Sequence, residues 1–180
     1  MAYAVGTPIN TQRSFVFWER HLIFATVGTQ LPFPRLVSAL DLLWPRLGRR
    51  IVAQIGSNPD VPKNLESYEF IQPYQFEVFF QAAEIIVAHA GIGTVLAAQK
   101  YRKPIILMPR RAALGEHRND HQVATVRQLH GYSGIYVASD QDELAELLLH
   151  TELRCAERGD SRSLTGLQTA VKSFMLAKNS

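Results

Sequence analysis

The chain has 180 residues, of which 47% are hydrophobic and 19% charged, and it carries a formal net charge of +3. This composition is typical of one folded domain and excludes a disordered chain. The apolar runs are too short for a membrane-spanning helix, and the N-terminus lacks the basic start and long apolar core of a signal peptide. We therefore expect a cytoplasmic protein.

Cysteine content and local charge limit the kind of site. The single cysteine, Cys155, excludes an internal disulfide, and its polar surroundings favour a surface or packing thiol over a nucleophile. Basic residues form small clusters, such as Arg49-Arg50 and Arg110-Arg111. Mild basicity agrees with an anionic small molecule or an acidic membrane surface, but it more often marks only a solvated face.

In chain order, an irregular start is followed by alternating strands and helices. Residues 1–20 show no clean period and include Phe15, Phe17 and Trp18, so we interpret them as an extension that packs on the domain or on a partner. The predicted strands are 21–27, 50–55, 68–71, 85–87, 104–108 and 134–137. The predicted helices are 32–43, 75–82, 95–101, about 120–129, 141–149 and 163–176.

Two residues give signals for helix boundaries. Pro45 is expected to end or kink the first helix, because proline has no N–H to donate. Asp140 is expected to cap the helix that runs to Leu149, with Glu143 completing a capping arrangement three residues further on.

The alternation of elements predicts an α/β fold, with a doubly wound, mostly parallel, Rossmann-like sheet covered on both faces. We expect a single domain over residues 21–180. In the common strand order 3-2-1-4-5-6, the first and fourth strands lie side by side at the switch point. Both of these strands end in glycine turns, at Gly28-Thr29 and at 91–94.

The turn after the fourth strand is the strongest local signal. Residues 84–94 read E-I-I-V-A-H-A-G-I-G-T, which is a strand followed by two glycines and the start of a helix. Free N–H groups and the positive end of the helix dipole meet there, which suits a phosphate or diphosphate. The alternative is that Gly91 and Gly93 only make a tight turn, and one G-x-G does not decide between the two. The second glycine turn, at Gly28, favours a phosphate or nucleotide site.

Known nucleotide-binding fingerprints narrow the chemistry. The turn after the first strand, G-T-Q-L-P, lacks the G-x-G-x-x-G of dinucleotide-binding enzymes, and no P-loop motif is present, so NAD and a P-loop are disfavoured. A polar cluster, E-H-R-N-D-H-Q at 116–122, follows the fifth strand instead. In a parallel sheet this cluster lies at the same edge as the glycine turns.

Four motifs in this order resemble the C-terminal, donor-binding half of inverting glycosyltransferases of family 28. They are I-F-A-T-V-G-T-Q-L-P-F-P-R-L-V at 23–37, H-A-G-I-G-T at 89–94, K-P-I-I-L-M-P at 103–109 and N-D-H-Q at 119–122. The likeness covers about 21–149 and points to the small catalytic subunits of two-component enzymes. The form L-G-E-H-R-N-D-H-Q at 114–122 is similar to the bacterial exopolysaccharide subunits rather than to the eukaryotic N-acetylglucosaminyltransferase subunit.

The resemblance implies half of a two-domain GT-B enzyme. Such an enzyme transfers a sugar from a UDP-sugar, with inversion, to a lipid-linked saccharide acceptor in exopolysaccharide biosynthesis. The resemblance also implies a membrane-associated partner that supplies the acceptor-binding half and recruits this subunit to the cytoplasmic face of the membrane. No metal or other cofactor is implied, and we predict no nucleic-acid partner.

Carried over by position, the family motifs imply a set of donor-binding residues. Those expected to hold the diphosphate are His89, Gly91, Gly93 and Thr94, with Gly28 and Thr29 facing them across the crevice. Those expected to contact the sugar are Asp120, His121 and Gln122, with Gln122 binding a hydroxyl, while Glu116 contacts sugar or ribose. One position departs from the family, because Ala97 stands where several relatives have an acidic residue for the ribose.

The base that deprotonates the acceptor hydroxyl has two candidates on this chain, His121 and Glu116, and the alternative is a base on the partner. For Asp120 and Glu116 the alternative is a loop side chain that caps the helix beginning near Asp120. His117 and His130 are interpreted as ordinary surface residues.

The two arginines after the fifth strand allow a narrower hypothesis. Arg110 or Arg111 could read the carboxylate of a uronic-acid donor, because a guanidinium pairs well with a carboxylate. The alternative is that both are solvated arginines.

A second function class stays open, namely a non-catalytic nucleotide-binding or scaffold subunit. An epimerase of UDP-sugars is disfavoured, because such enzymes carry both halves in one chain. The candidate partner surfaces are the extension at 1–20 and the helix at 163–176, whose stripe of Leu164, Leu167, Val171 and Phe174 is alternatively ordinary core.

Overall fold

The computed structural model of the chain describes residues 21–155. The extension predicted at 1–20 and the helix predicted at 163–176 lie outside the described residues. Within 21–155, no helix combines the length and the apolar character that crossing a membrane requires.

Within residues 21–155, six parallel strands form one sheet in the order β3-β2-β1-β4-β5-β6. This confirms the predicted doubly wound fold and its strand order. Every residue of the central strands β1, β2 and β5 is buried, as expected for strands covered on both faces. The strands are β1 Ile23–Thr26, β2 Ile51–Gln54, β3 Glu66–Tyr68, β4 Ile85–His89, β5 Ile105–Met108 and β6 Ile135–Val137.

Five α-helices in the described part cover the two faces of the sheet. They are α1 Pro34–Leu47, α2 Pro73–Ala82, α3 Ile92–Lys100, α4 His121–Leu129 and α5 Gln141–His150, and a short 3-10 helix spans Ala112–Leu114. Helices α1 and α5 pack on one face, and α2, α3 and α4 pack on the other. Alternate residues of β1 point to opposite faces of the sheet. Ile23 packs in the core on the α1 side. Phe24 contacts aromatic rings of α2 on the other side, at centroid distances of 5.0 to 6.0 Å.

The third strand lies two residues earlier than predicted. Edge strand β3 pairs only with β2, and Arg50 Nη2 to Glu66 Oε2, at 2.7 Å, joins the two strands at their start. The buried Ile71, which suggested a strand, instead donates its N–H to Gln54 Oε1 at 3.3 Å. The chain has therefore left the sheet by this point and begins the loop that leads to α2.

The first helix continues through Pro45 to Leu47 and ends at Gly48, which adopts a left-handed conformation with φ of 58°. Pro45 therefore does not end the helix, and the other alternative, that it kinks the helix, stays a prediction. A proline leaves the carbonyl four residues earlier without its usual donor. Here the carbonyl of Asp41 accepts a hydrogen bond from Asn64 Nδ2 at 3.2 Å, so the missing helical bond is replaced from outside the helix.

The predicted cap of the last described helix is confirmed. Asp140 Oδ1 accepts from the Glu143 N–H at 2.9 Å, and Glu143 Oε2 accepts from the Ser139 N–H at 2.6 Å. These two bonds satisfy donors that a helix N-terminus would otherwise leave free. They also fix the loop between β6 and α5, which follows the carboxyl end of β6.

Candidate functional site

A crevice runs along the carboxyl edge of the sheet, where the loops after β1, β4 and β5 meet. It consists of two adjoining pockets of about 720 and 710 Å³, which share Gln30, Leu31, Gly91, His117 and Gln122. The loop pocket is the one that extends between Gln30 and the segment 115–122. The aromatic pocket is the one that extends past the ends of β1 and β4 to Phe70, Pro73 and Phe76.

The structure brings most of the predicted donor-binding residues to this crevice, although they come from three separate loops. Those in the aromatic pocket are Gly28, Thr29, His89, Gly91, Gly93, Thr94 and Gln122, and those in the loop pocket are Gly91, Glu116, His121 and Gln122. Asp120 is the exception: together with Arg111, one of the two candidates for carboxylate recognition, it lines a separate pocket of about 630 Å³.

The N-terminus of α3 opens into the aromatic pocket. No side chain caps this helix, and within the described part the N–H groups of Ile92 and Gly93 have no hydrogen-bond partner. A Cβ added at Gly93 would meet nothing within 4 Å, and its φ is not positive, so neither packing nor backbone geometry requires a glycine there. Gly93 therefore leaves open space at the α3 N-terminus, where two N–H donors are available.

Gly28 and Gly91 have a different reason to be glycine, because the His89 side chain lies against both. A Cβ at Gly91 would come within 2.4 Å of His89 Nε2, and a Cβ at Gly28 would come within 2.8 Å of His89 Cε1. Gly28 also has φ of 81°, which side chains rarely adopt. These two glycines therefore hold the imidazole between the ends of β1 and β4.

The imidazole of His89 is neutral at neutral pH. Burial, and then the positive charge of Arg110, lower the pKa of His89 to about 4. A weak contact of 3.5 Å between His89 Nδ1 and the Thr26 carbonyl raises the pKa slightly but does not offset these two effects. His89 thus adds a polar but uncharged group beside the α3 N-terminus.

Lowering the pH from about 6.5 to about 4 is expected to destabilise the fold through His89. In this range the unfolded chain binds a proton at this histidine and the folded chain does not, so acid favours unfolding. The loss reaches at most about 3 kcal/mol at the acid end. Urea unfolding at a series of pH values measures it.

The matched controls for this pH effect are two substitutions of histidine by glutamine. His89→Gln should flatten this part of the pH profile relative to the wild type. His130→Gln, at an exposed position outside the crevice, is the control for the substitution itself. A wild-type slope in His89→Gln would show that another group is responsible.

Gln122 joins the ends of two strands. Its Oε1 accepts from the Ala90 N–H at 3.3 Å and from the Arg110 N–H at 3.1 Å, so the side chain bridges the residues that follow β4 and β5. Its Nε2 makes no hydrogen bond with the other described residues, and the residue lines both pockets. Gln122 is therefore both a structural bridge and a donor facing the crevice.

Glu116 is occupied by protein partners. Its Oε1 accepts from Arg35 Nε at 2.6 Å, and its Oε2 accepts from Arg35 Nη2 and from the Arg111 N–H, both at 2.9 Å. Only 9% of this side chain is exposed. A carboxylate paired in this way with a guanidinium is poorly suited to accept a proton from a substrate.

Asp120 also contacts the protein rather than the crevice. Its Oδ1 accepts from the Ala112 N–H at 2.8 Å, and its side chain does not cap α4 although the residue directly precedes that helix. Arg111 donates from Nη2 to the Ser139 carbonyl at 2.8 Å. Both side chains therefore hold the segment after β5 in place, away from the glycine turns.

Arg110 is not a solvated arginine. The residue is 3% exposed, and its Nη2 donates to the carbonyls of Val27 at 2.8 Å and Leu31 at 2.6 Å. Its Nε is buried and has no hydrogen-bond partner among the described residues. Burial lowers the pKa of Arg110 from its ordinary value.

Several crevice residues were missed in the sequence. His117, interpreted there as a surface residue, is half-buried and lines both pockets. Phe70, Pro73 and Phe76 form the far wall of the aromatic pocket, together with Ala97. No local motif marks Phe70, Pro73 and Phe76, which come from the loop after β3 and from α2. In the described part, no three His, Cys, Asp or Glu side chains lie close enough together to hold a metal ion.

The chain is similar to a known sequence family and to a curated protein. The glycosyltransferase family 28 C-terminal domain matches residues 22–170. The UDP-N-acetylglucosamine transferase subunit ALG13 of Homo sapiens is 31% identical over 119 residues, which cover 60% of this chain and 10% of that protein. The chain therefore spans about a tenth of the length of this relative.

Two solved structures share the fold. The glycotransferase of kitacinnamycin has a TM-score of 0.55 at 16% identity, covering 87% of this chain and 40% of that chain. The spinosyn forosaminyltransferase SpnP has a TM-score of 0.50 at 14% identity, covering 86% of this chain and 40% of that chain. At such identities the likeness concerns the fold alone, and in both cases this chain corresponds to less than half of the other.

Proposed function

The chain belongs to the family of glycosyltransferase family 28 C-terminal domains, and from this premise we propose that it is the donor-binding, catalytic subunit of a UDP-sugar glycosyltransferase. The observation that carries the proposal is the uncapped N-terminus of α3, open at Gly93, inside a crevice of two adjoining pockets. Free N–H groups and the helix dipole favour a diphosphate at this point.

The two pockets support a placement for the rest of the donor. The aromatic pocket offers Phe70, which is 56% exposed, and Phe76 as apolar partners for a flat base. The loop pocket offers Gln122 Nε2 and the His121 side chain at its polar wall, where a sugar would lie. The uridine of the donor would therefore lie on the β3 side of the α3 N-terminus and the sugar on the β5 side.

The chemistry proposed is a single displacement with inversion. The acceptor hydroxyl oxygen forms a bond to the anomeric carbon while the bond from that carbon to the diphosphate oxygen breaks. The N–H groups of Ile92 and Gly93 stabilise the charge that develops on the leaving UDP. The hydroxyl proton passes to a base, for which His121 stays a candidate on this chain, while the pairing of Glu116 with Arg35 disfavours that carboxylate.

The finer parts of the proposal concern the partner and the acceptor. We propose that a membrane-associated subunit supplies the acceptor-binding half, that the acceptor is a lipid-linked saccharide of exopolysaccharide synthesis, and that the reaction takes place at the cytoplasmic face of the membrane without a metal or other cofactor. The human relative is itself named a transferase subunit, which supports a subunit role for this chain.

Recognition of a uronic-acid carboxylate by Arg110 or Arg111 stays a prediction, and the sugar position proposed above, in the loop pocket, disfavours both residues. Arg110 lines the aromatic pocket beside His89, whereas Arg111 lines the separate pocket and is bonded to Ser139.

UDP and UDP-sugars are expected to raise the thermal unfolding temperature of the chain, because a ligand that binds only the folded state stabilises it. At a concentration a hundred times the dissociation constant, the gain is about 2.7 kcal/mol. A thermal-shift screen of UDP-glucose, UDP-glucuronate and UDP-N-acetylglucosamine measures the effect and ranks the donors. Uridine, which has no phosphate, is the matched control and should give a much smaller shift, whereas equal shifts with UDP and uridine would contradict a diphosphate site.

A non-catalytic nucleotide-binding subunit is the alternative function, and it binds UDP equally well. Sugar transfer by the complex with the partner subunit distinguishes the two. The proposed enzyme loses turnover when this chain is omitted or carries Gly93→Asp, whereas a scaffold role is indicated if the partner alone transfers sugar at an unchanged rate.

A further inference from the structure

Two loops flank the glycine turn that follows β4. One follows β1 and leads into α1, and the other follows β5 and leads into α4; β1 and β5 are the two neighbours of β4 in the sheet. Both loops line the crevice, through Gln30 and Leu31 on one side and through Glu116 and His117 on the other. The width of the crevice therefore depends on how these loops are held relative to each other.

Arg35, in the first turn of α1, reaches across to the loop after β5. Its Nε and Nη2 donate to the two oxygens of Glu116 at 2.6 and 2.9 Å, and its Nη2 also donates to the Pro109 carbonyl at 2.8 Å. Its Nη1 donates to the Ser139 carbonyl at 2.9 Å, which includes the loop after β6 in the same set of contacts. One guanidinium thus joins three segments.

Arg110, directly after β5, reaches across in the opposite direction. Its Nη2 donates to the Val27 and Leu31 carbonyls, which are two points of the loop after β1. Each loop is therefore held by an arginine that comes from the side of the other loop.

The ring of Phe33 lies next to both arginines. Its side chain is fully buried, and its centroid lies 5.3 Å from Arg35 Cζ and 5.0 Å from Arg110 Cζ. Contacts of this kind between a guanidinium and an aromatic ring are favourable, and they are stronger when water is excluded. The ring gives both arginines a common apolar support and limits the positions that their side chains can take.

We propose that Arg35, Arg110 and Glu116 form a crossed clamp, a set of positioning residues that fixes the two crevice loops relative to each other on either side of the α3 N-terminus. Glu116 acts on the donor site through Arg35 and through the Arg111 N–H, and it does not contact the donor. The inference rests on the proposed function in one respect, because the site that the clamp positions is the proposed UDP site.

Amide hydrogen exchange of the free chain tests the clamp without any ligand. Arg35→Lys and Arg110→Lys keep the charge but lose the forked geometry that reaches several acceptors at once. The clamp predicts a crossed pattern: Arg35→Lys speeds exchange at 111–117, and Arg110→Lys speeds exchange at 27–31, each by about tenfold or more relative to the strand β5.

The matched control is Glu66→Gln, because Glu66 also accepts two hydrogen bonds from one arginine, Arg50, but at the far edge of the sheet. This variant should leave exchange in both crevice loops as in the wild type. Two results would overturn the clamp. One is a uniform increase in the exchange rate over the sheet and the loops in Arg35→Lys and Arg110→Lys. The other is faster exchange only on the side of the crevice from which the mutated arginine comes.

Calorimetric titration with UDP tests whether the clamp affects the donor site. We expect UDP to bind about tenfold more weakly than in the wild type to each of Arg35→Lys, Arg110→Lys and Glu116→Gln. In these variants the two crevice loops are not ordered in advance, and ordering them on binding costs part of the binding free energy. Unchanged UDP affinity in variants whose loops exchange faster would overturn the positioning role. If the wild type binds no UDP, the proposed function fails, while the crossed exchange pattern still decides whether the clamp exists.

Discussion

Replacing Gly93 with aspartate is expected to weaken UDP binding by about a hundredfold or more, while the free energy of unfolding changes by less than about 1 kcal/mol. The structure separates the two effects, because a Cβ at this position meets nothing within 4 Å. A carboxylate in the first turn of a helix is favourable for the helix itself. The same carboxylate repels a diphosphate that would occupy the space in front of the Ile92 and Gly93 N–H groups.

Two further substitutions at Gly93 serve as controls. Gly93→Asn has nearly the same size as the aspartate variant but no charge, and Gly93→Ala adds only a methyl group to open space. Calorimetry should rank UDP affinity as alanine above asparagine and asparagine above aspartate. Equal affinity for UDP in the wild type and in Gly93→Asp would contradict a diphosphate site at the α3 N-terminus.

Replacing Gly91 with alanine is expected to destabilise the fold by about 2 to 3 kcal/mol. The added Cβ would lie 2.4 Å from His89 Nε2, well inside van der Waals contact. The imidazole also lies against Gly28, and its burial limits how far it can move away. Urea unfolding measures the loss, and Gly93→Ala, in the same turn, is the control that should cost much less.

A double-mutant cycle with His89→Ala shows whether the imidazole is the cause. Once the ring is removed, Gly91→Ala should cost less than about 1 kcal/mol, so that the two substitutions are far from additive. Additive losses would mean that Gly91 is required for another reason, such as the geometry of the helix start.

The glycines show why the sequence alone leaves two interpretations open. In the sequence, Gly91 and Gly93 belong to one G-x-G motif, and this motif is compatible with both a tight turn and a phosphate site. In the structure the two interpretations apply to different residues: Gly91 is required by the packing of His89, and Gly93 is free of packing. The distinction depends on where the imidazole of His89 points, which no pattern in the sequence encodes.

The overall fold was predictable because its signals are local. Short apolar runs between amphipathic stretches gave six strands and their parallel order, and the Asp140 cap could be recognised from the spacing of two side chains. The errors arose where a distant residue intervenes. Asn64 supplies the hydrogen bond that lets α1 continue past Pro45, and the edge pairing of β3 moves the third strand away from Ile71.

The sequence predicts most of the residues that line the crevice, but it does not predict which partners their side chains bind. The sequence motifs placed Glu116 in the crevice, where it lies, but its partner Arg35 is 81 residues away in the chain, and no spacing rule connects the two. For the same reason Arg110 and Arg111, adjacent in sequence, could not be separated. Their side chains have different partners: Arg110 contacts the loop after β1, and Arg111 contacts Ser139.

The most direct measurement is an NMR titration of the amide resonances with UDP and, separately, with uridine. A diphosphate at the α3 N-terminus predicts that UDP shifts the amides of Ile92, Gly93 and Thr94 more than any others, and that uridine at the same concentration leaves those three unchanged. If UDP binds while these three amides do not move, the diphosphate does not lie at this helix and the proposed donor site is wrong.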